Sequence, residues 1–282
     1  MDSARGFLFE DLDIRGVRVL LGPAWRSMQA DRNYPPTVRD LLGQLAAVTT
    51  LIGSNLKAPG HLGFHLQGHG PVRLLVVDCD QQLRLRGMAK AAEPVVEAPV
   101  PTLLGDGQLA LTLQVEGNAK PYQSIVPLVG DSVAAIFEHY LTQSEQSPAR
   151  LWLHADGIHA AGLLLQKLPE ADRRDADGWQ RIQRLAETLR PEELSLPAED
   201  LLTRLFSQEA VRLFASRAVA YHCPRDEAKV LAMLSTLGRD EVEKMIAADG
   251  EVVIRDDICN QDYRFGPEVL NRLFASPSRS IH

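Results

Sequence analysis

Hydrophobic and polar positions alternate with a period of two at several places in the first half of the chain. Val17, Val19 and Leu21 follow this pattern, as the residues of a partly buried strand do. Similar runs predict strands at 62–67, 72–78, 83–88 and 109–115, and a hairpin at 151–168 around the Asp156-Gly157 turn. Because tight turns join several of these strands in sequence, we expect antiparallel pairing.

A helical period of apolar residues follows Thr37, which is the predicted N-cap, and continues from Val38 to Leu56. Asp131 is the predicted cap of a second helix that carries Val133 and Phe137. After Pro169 come a charged connector and two amphipathic segments, at 179–189 and 201–206. Their apolar stripes fit helices that pack on the sheet, and they equally fit helices that detach and expose apolar surface.

This order of elements favours an α+β fold, with a mixed α/β-sheet domain at the N-terminus, over a doubly wound sheet. The predicted divisions are an N-terminal domain at 1–168, a helical linker at 169–220 and a small module at 221–282. We expect the linker to lie on the N-terminal domain in the resting state.

Composition and charge limit the classes of partner that we expect for the chain. Its 282 residues carry 30 Lys and Arg against 37 Asp and Glu, and this net charge of −7 gives no electrostatic case for nucleic-acid binding. No segment approaches the roughly 20 apolar residues that cross a membrane. Acidic residues stand near the N-terminus, where a signal peptide needs an apolar core. We therefore expect a cytoplasmic protein with neither nucleic-acid nor membrane partners.

The stretch from Tyr221 to Phe265 has the pattern of a four-cysteine zinc module that keeps only Cys223 and Cys259. A four-ligand site would need further donors, and the candidates beside the two cysteines are His222, Asp256 and Asp257. The spacing Asp256-x-x-Cys259 suits a metal knuckle, whereas His222 and Cys223 are adjacent and would point to opposite faces of an extended chain. The alternative is a metal-free module that its own small apolar core stabilises.

The sequence motifs around these cysteines resemble those of the redox-regulated 33-kilodalton heat-shock chaperone family. In that family the module reads approximately C-x-C-S-R-E, then C-x-x-C and Y-x-F. This chain keeps Cys223-Pro224-Arg225-Asp226, Cys259 and Tyr263-Arg264-Phe265, but Tyr221 and Asp256 replace two cysteines. The resemblance extends along the chain in the expected order through Leu66-Gln67-Gly68-His69-Gly70-Pro71, Arg86-Gly87, Pro121-Tyr122-Gln123-Ser124-Ile125-Val126, Tyr140-Leu141-Thr142-Gln143-Ser144-Glu145-Gln146 and Leu163-Leu164-Leu165-Gln166-Lys167-Leu168-Pro169.

The resemblance implies an ATP-independent holdase, which binds unfolding client proteins without a nucleotide and is a homodimer when active. In the family, four thiolates hold Zn²⁺, and their oxidation to two disulfides unfolds the module and linker. This chain cannot form those two short-range disulfides, so the resemblance implies a blunted or altered redox switch. Zn²⁺ remains a candidate cofactor. Without it, packing and a single Cys223–Cys259 bond would stabilise the module.

Other chemical groups give weaker signals. Cys79 ends a predicted strand and is expected to be a small buried hydrophobe. His61, His65 and His69 share a four-residue spacing that would form one face of a helix, but the local pattern is strand and turn, so we expect no metal cluster there. Hydrolase and nucleotide-binding motifs are absent, and a non-enzyme is favoured. Two alternatives remain: a thiol- or metal-dependent enzyme that uses Cys223 or Cys259, and a passive module that binds one partner.

Overall fold

The structure, a computed structural model, describes residues 1–56, 59–92, 94–118 and 120–274. Its contacts divide the chain into two compact units, Met1–His222 and Cys223–His282, and each is described by itself. Residues 169–222 therefore belong to the first unit. The three-part division at 168 and 220 stays a prediction.

The strands form two sheets in the first unit and a hairpin in the second. They are β1 Ser3–Phe9, β2 Ile14–Leu21, β3 Gly60–Gln67, β4 Val72–Asp80, β5 Arg84–Ala91, β6 Gln108–Val115, β7 Tyr122–Val126, β8 Ala149–Ala155, β9 Ala160–Lys167, β10 Val211–Leu213, β11 Arg217–Ala218, β12 Ala220–Tyr221, β13 Val252–Asp256 and β14 Gln261–Phe265.

The helices are mostly short. They are α1 Pro23–Gln29, α2 Pro36–Ser54, α3 Val100–Leu104, α4 Val133–Glu145, α5 Ala171–Arg174, α6 Gly178–Ala186, α7 Ala198–Phe206, α8 Glu227–Leu237, α9 Arg239–Asp249 and α10 Val269–Phe274, with a 3₁₀ turn at Pro191–Ser195. In the part of the chain that the structure describes, none of them combines the length and the hydropathy of a membrane-crossing helix.

Two of the predicted helix caps are wrong by one position or more. Helix α2 begins at Pro36 after Pro35, and Thr37 lies inside its first turn. Proline suits this place because its fixed φ matches the helix and it lacks an N–H group that would otherwise need a partner. Helix α4 is capped by Ser132, whose side chain accepts a hydrogen bond from the Ala135 amide at 3.2 Å, and not by Asp131.

The first sheet has the strand order β10-β1-β2-β9-β8, with β11 also paired to β1, and the second has the order β12-β5-β4-β3-β6-β7. The strands predicted from periodicity are present, and their neighbours pair antiparallel as expected. The exception is the short strand β12, which pairs in parallel with β5. In these two sheets, strands β1, β7 and β10 to β12 were not predicted.

Helix α2 lies between the two sheets, which explains why so many of its residues are buried. Its buried side chains, among them Leu42, Leu45 and Val48, join the main core with residues from both sheets. At Gly43 the helix approaches the first sheet closely, because an added Cβ atom would lie 2.5 Å from Cβ of Ala155. The predicted α+β class is confirmed by this arrangement and by the structural comparison reported below.

A second core covers the opposite face of the first sheet. Phe7, Phe9 and Leu163 on that face pack against residues between Ala171 and Phe206. The Phe9 and Phe206 rings meet edge to face, with centroids 4.9 Å apart. Residues 171–206, called the covering segment below, therefore shield the sheet from water on the side that α2 does not cover.

The second unit has its own small core. Helices α8, α9 and α10 and the β13–β14 hairpin bury one apolar cluster, which comprises Leu234, Val242, Val252, Tyr263, Phe265 and Val269. The unit therefore has apolar packing of its own besides its cysteines.

We expect Gly16→Ala to lower the free energy of unfolding of the first unit by about 1–3 kcal/mol, the usual cost of overpacking a core. The Phe7 ring lies directly over Gly16 on the neighbouring strand, and an added Cβ atom would overlap it. Urea unfolding followed by tryptophan fluorescence measures the change. The matched control is Gly6→Ala on β1, where the nearest atom of a new Cβ would be 3.4 Å away. Equal stability of the two variants would contradict the predicted close contact.

Candidate functional site

One face of the first sheet is an apolar surface that the covering segment shields. This surface, called the covered face below, is one side of β1, β2, β8, β9 and β10. The residues on it that the following paragraphs use are Arg5, Phe7, Phe9, Ile14, Arg18, Arg150, Trp152, Leu163 and Leu165. The phenylalanines, isoleucine and leucines are buried in the second core. Three arginines in such a surface are unexpected.

Arg18 lies near the middle of the covered face and is only 3% exposed. Its guanidinium group donates hydrogen bonds to the main-chain carbonyls of Leu194, at 3.1 Å, and Leu196. Burial lowers the pKa of Arg18 to about 10, although Glu199 acts in the opposite direction. Arg18 therefore joins the sheet to the 3₁₀ turn of the covering segment through carbonyl groups.

Arg5 and Arg150 lie nearer the edges of the covered face. Arg5 forms an ion pair with Glu199 of α7, and its Nε donates to the Phe214 carbonyl at 3.0 Å. A nitrogen of Arg150 lies 3.8 Å from Glu187 of the covering segment, and its Nε lies 3.6 Å from Glu138 of α4. Carboxylates of the covering segment therefore face arginines of the sheet at two places.

The covering segment contributes an apolar stripe to the same interface. Leu201, Leu205 and Phe206 of α7 are buried in the second core, together with Ile182 and Leu194. The helices that hold these residues are short, between four and nine residues. Isolated helices of this length are marginal in water, so their structure depends on docking to the sheet.

The two cysteines of the second unit form a disulfide bond. Cys223 and Cys259 are separated by 36 positions, and their Cα atoms are 5.5 Å apart, within the usual range for such a bond. Asp256 accepts hydrogen bonds from the amides of Ile258 and Cys259, at 3.0 and 3.1 Å, and so shapes the turn that presents Cys259. Gln261 donates to the Cys223 carbonyl at 3.0 Å.

The residues proposed as further metal ligands do not assemble around this pair. His222 belongs to the first unit, where its amide donates to the Leu85 carbonyl at 2.8 Å. Within 1–56, 59–92, 94–118 and 120–274, no group of three or more His, Cys, Asp and Glu side chains is arranged to hold a metal ion. Because both sulfurs are bonded to each other, the donors do not fit a closed four-ligand zinc site, and zinc binding stays a prediction.

Tyr221 stands where the resembled family has a cysteine, and it serves as a packed aromatic residue. It lies on β12, pairs with Leu85 and contacts the main core of the first unit. Cys79 is buried at 1% exposure on β4, and burial raises the pKa of its thiol to about 12. Cys79 is therefore a buried hydrophobe, as predicted, and a poor nucleophile at neutral pH.

His61 and His65 meet at one buried carboxylate. On a strand, residues four apart share a face just as they do on a helix. His61 and His65 of β3 each place Nε2 3.5 Å from the same oxygen of Asp78, and Arg86 Nε lies 3.0 Å from its other oxygen. Burial raises the pKa of Asp78, but bonds from the two histidines and the charge of Arg86 outweigh it and leave a net lowering. His69 lies in the following turn.

Comparison with known proteins gives one consistent result. A family model described as Hsp33 protein matches residues 2–266. The chain is 37% identical over 278 residues to the 33 kDa chaperonin of Methylobacillus flagellatus, covering 98% of this chain and 95% of that one. It is 40% identical over 276 residues to the 33 kDa chaperonin of Chromobacterium violaceum, covering 97% and 94%.

A solved structure has a similar fold. The crystal structure of the 33 kDa chaperonin of Thermotoga maritima superposes with a TM-score of 0.80 over 96% of this chain and 97% of that one, at 21% identity. At this identity the superposition shows the fold alone, whereas the family model and the curated relatives confirm the resemblance found in the sequence.

We expect thiol counting to report the disulfide. Under oxidising conditions the native protein should react with no thiol reagent, and the unfolded protein should react only at Cys79. After reduction the unfolded protein should show all three cysteines. Reduction should also lower the stability of the second unit by about 2–4 kcal/mol, because the bond no longer constrains its unfolded chain. Hydrogen exchange measures this change, with Cys223→Ser as the control. Two reactive thiols in the oxidised native protein would contradict the pairing.

Proposed function

This chain belongs to the Hsp33 family of chaperones, and we propose that it is an ATP-independent holdase. It binds unfolding client proteins through apolar surface and prevents their aggregation without chemical turnover of a substrate. Membership of the family supports chaperone function. The finer statement, that clients bind without nucleotide, is the proposal.

The covered face is the observation that carries this proposal. It combines a broad apolar surface with a cover made of short helices, and the cover is part of the same chain. Burial of apolar surface contributes roughly 25 cal/mol per Å² before ordering costs. An unfolded client can replace the covering segment because both offer apolar side chains to the same sheet. Client binding then requires the covering segment to leave.

The resembled family releases its cover when four thiolates are oxidised. We propose a different trigger for this chain. The disulfide between Cys223 and Cys259 closes a loop of 36 positions that contains α8, α9 and β13. Such a bond restricts the unfolded chain and so stabilises the folded unit. Oxidation of this chain therefore tightens the second unit and does not unfold it. Heat or mild denaturation, which melts the short helices of the covering segment, is the proposed activator.

The proposal includes a cytoplasmic location, unfolded proteins as partners, and a homodimer of N-terminal domains in the active state. The rival proposal of a thiol-dependent enzyme is weakened by the state of the three cysteines. Two are bonded to each other, and Cys79 is buried with a raised thiol pKa. A nucleophilic thiol needs the opposite environment, with access to solvent and a lowered pKa.

We expect the purified protein to suppress the light scattering of a heat-denatured client at a few-fold molar excess, with no nucleotide present. Suppression should be unchanged by added ATP and should increase when the chaperone is first warmed. A folded protein of similar charge is the control for nonspecific effects. Aggregation that continues under both oxidising and reducing conditions would refute the holdase proposal.

We expect warming to activate the protein more than peroxide does, and Cys223→Ser to keep the response to warming. The reason is that the covering segment loses its short helices on heating, whereas a single disulfide constrains the second unit. Client aggregation is measured after peroxide at ambient temperature and after warming without peroxide, for the wild type and the variant. Full activation by peroxide alone, abolished in Cys223→Ser, would show that two cysteines suffice for an activating redox switch.

A further inference from the structure

Arginine is an unusual residue in an apolar surface such as the covered face. A buried ion pair is often no more stabilising than well-packed apolar residues of similar size. Arg18 has an even weaker arrangement, because its Nε is buried without a hydrogen-bond partner and its other contacts are carbonyl groups. Stability alone is therefore a weak explanation for a buried arginine at this position.

Register places two of these arginines side by side. Arg5 on β1 is the direct cross-strand partner of Arg18 on β2. Like charges at such a position destabilise a sheet unless other groups balance them. In the closed structure the balance comes from the covering segment, through the carboxylate of Glu199 and the carbonyls of Leu194 and Leu196. Departure of the segment leaves both guanidinium groups without these acceptors.

The third arginine extends the pattern to the other edge of the sheet. Arg150 on β8 has its guanidinium carbon 5.9 Å from the centre of the Trp152 ring, and it faces Glu187 of the covering segment. Leu163 and Leu165 of β9 lie between the two arginine positions. The covered face is therefore an apolar surface flanked by arginines, with Arg5 and Arg18 toward one edge of the sheet and Arg150 at the other.

We propose that the uncovered face selects client segments that combine acidic and apolar side chains, and that Arg5, Arg18 and Arg150 set this preference. The inference depends on the proposed holdase function and names its substrate class. A client segment with leucines and carboxylates can make the same apolar contacts and ion pairs with the face as the covering segment does. A segment with lysines and leucines offers the same apolar area but brings its charges against the arginines.

The overall charge of the protein makes this preference diagnostic. The chain carries a net charge of −7, so long-range electrostatics alone would repel an acidic peptide. A preference for acidic segments must therefore arise locally, where the arginines are. It must also weaken in salt, because ionic screening acts on the charge contacts and spares the apolar ones.

The test compares two labelled peptides binding to the full-length protein at the temperature that activates it. The first peptide has the sequence of residues 187–206, and the second replaces every Glu and Asp in it with Gln or Asn. Fluorescence anisotropy should show that the acidic peptide binds roughly 5- to 10-fold more tightly at low salt, as a few partly desolvated ion pairs would give. The ratio of the dissociation constants of the neutral and the acidic peptide, called the ratio below, should approach one at about 0.5 M salt.

The variants assign the preference to residues. Arg5→Met, Arg18→Met and Arg150→Met should each reduce the ratio, while Arg15→Met should not. Arg15 is the matched control because it lies on β2 but bonds Gln166 at 2.9 Å, outside the covered face. If Arg18→Met fails to fold, Arg150→Met and the salt dependence of the wild type still test the proposal, because Arg150 is half-exposed.

Each outcome decides between alternatives. Equal affinity for the two peptides, or a ratio that survives all three substitutions, would refute the charge preference while leaving the holdase intact. Aggregation suppression without binding of either peptide would place the client site elsewhere and also refute it. An absence of aggregation suppression would refute the proposed function itself, which the light-scattering measurement reports separately.

Discussion

The first sheet has apolar residues on both faces, and the rest of the structure depends on covering both. Helix α2 covers one face and joins the sheet to the second one, which makes a stable interior. The covering segment shields the other face with short helices and a 3₁₀ turn. These two covers differ in strength because a long helix between two sheets is held on both sides, whereas the covering segment packs on the sheet from one side.

This asymmetry fits the proposed holdase function. A surface that binds unfolded clients must be apolar, but a permanently exposed surface of that kind would promote association of the chaperone itself. In the proposed holdase, coverage by short helices of the same chain resolves the conflict. Arg18 illustrates the compromise, since it contacts the cover through carbonyl groups and has a buried Nε that no partner satisfies.

The second unit differs from the resembled family in its set of cysteines. Its core of Leu234, Val242, Tyr263 and Phe265 supplies packing, and the Cys223–Cys259 bond adds a long-range constraint. Asp256, at a position where the resembled family has a cysteine, bonds the amides of the turn that presents Cys259. The carboxylate thus shapes the turn, and no group of metal ligands forms among the described residues.

The sequence by itself determined the family, the α+β class and most strands, because these follow from ordered motifs and from local periodicity. It also showed that two of four cysteines are missing. Tertiary structure decided the rest, since contacts between distant positions leave no local pattern. Arg18 has the pattern of a polar residue in an alternating strand. It is nevertheless buried, and it donates hydrogen bonds to carbonyl groups 176 and 178 positions away. His61 and His65 converge on Asp78 only because β3 pairs with β4. Cap positions were missed for a smaller reason: neighbouring residues such as Asp131 and Ser132 have similar capping propensity, and backbone geometry selects between them.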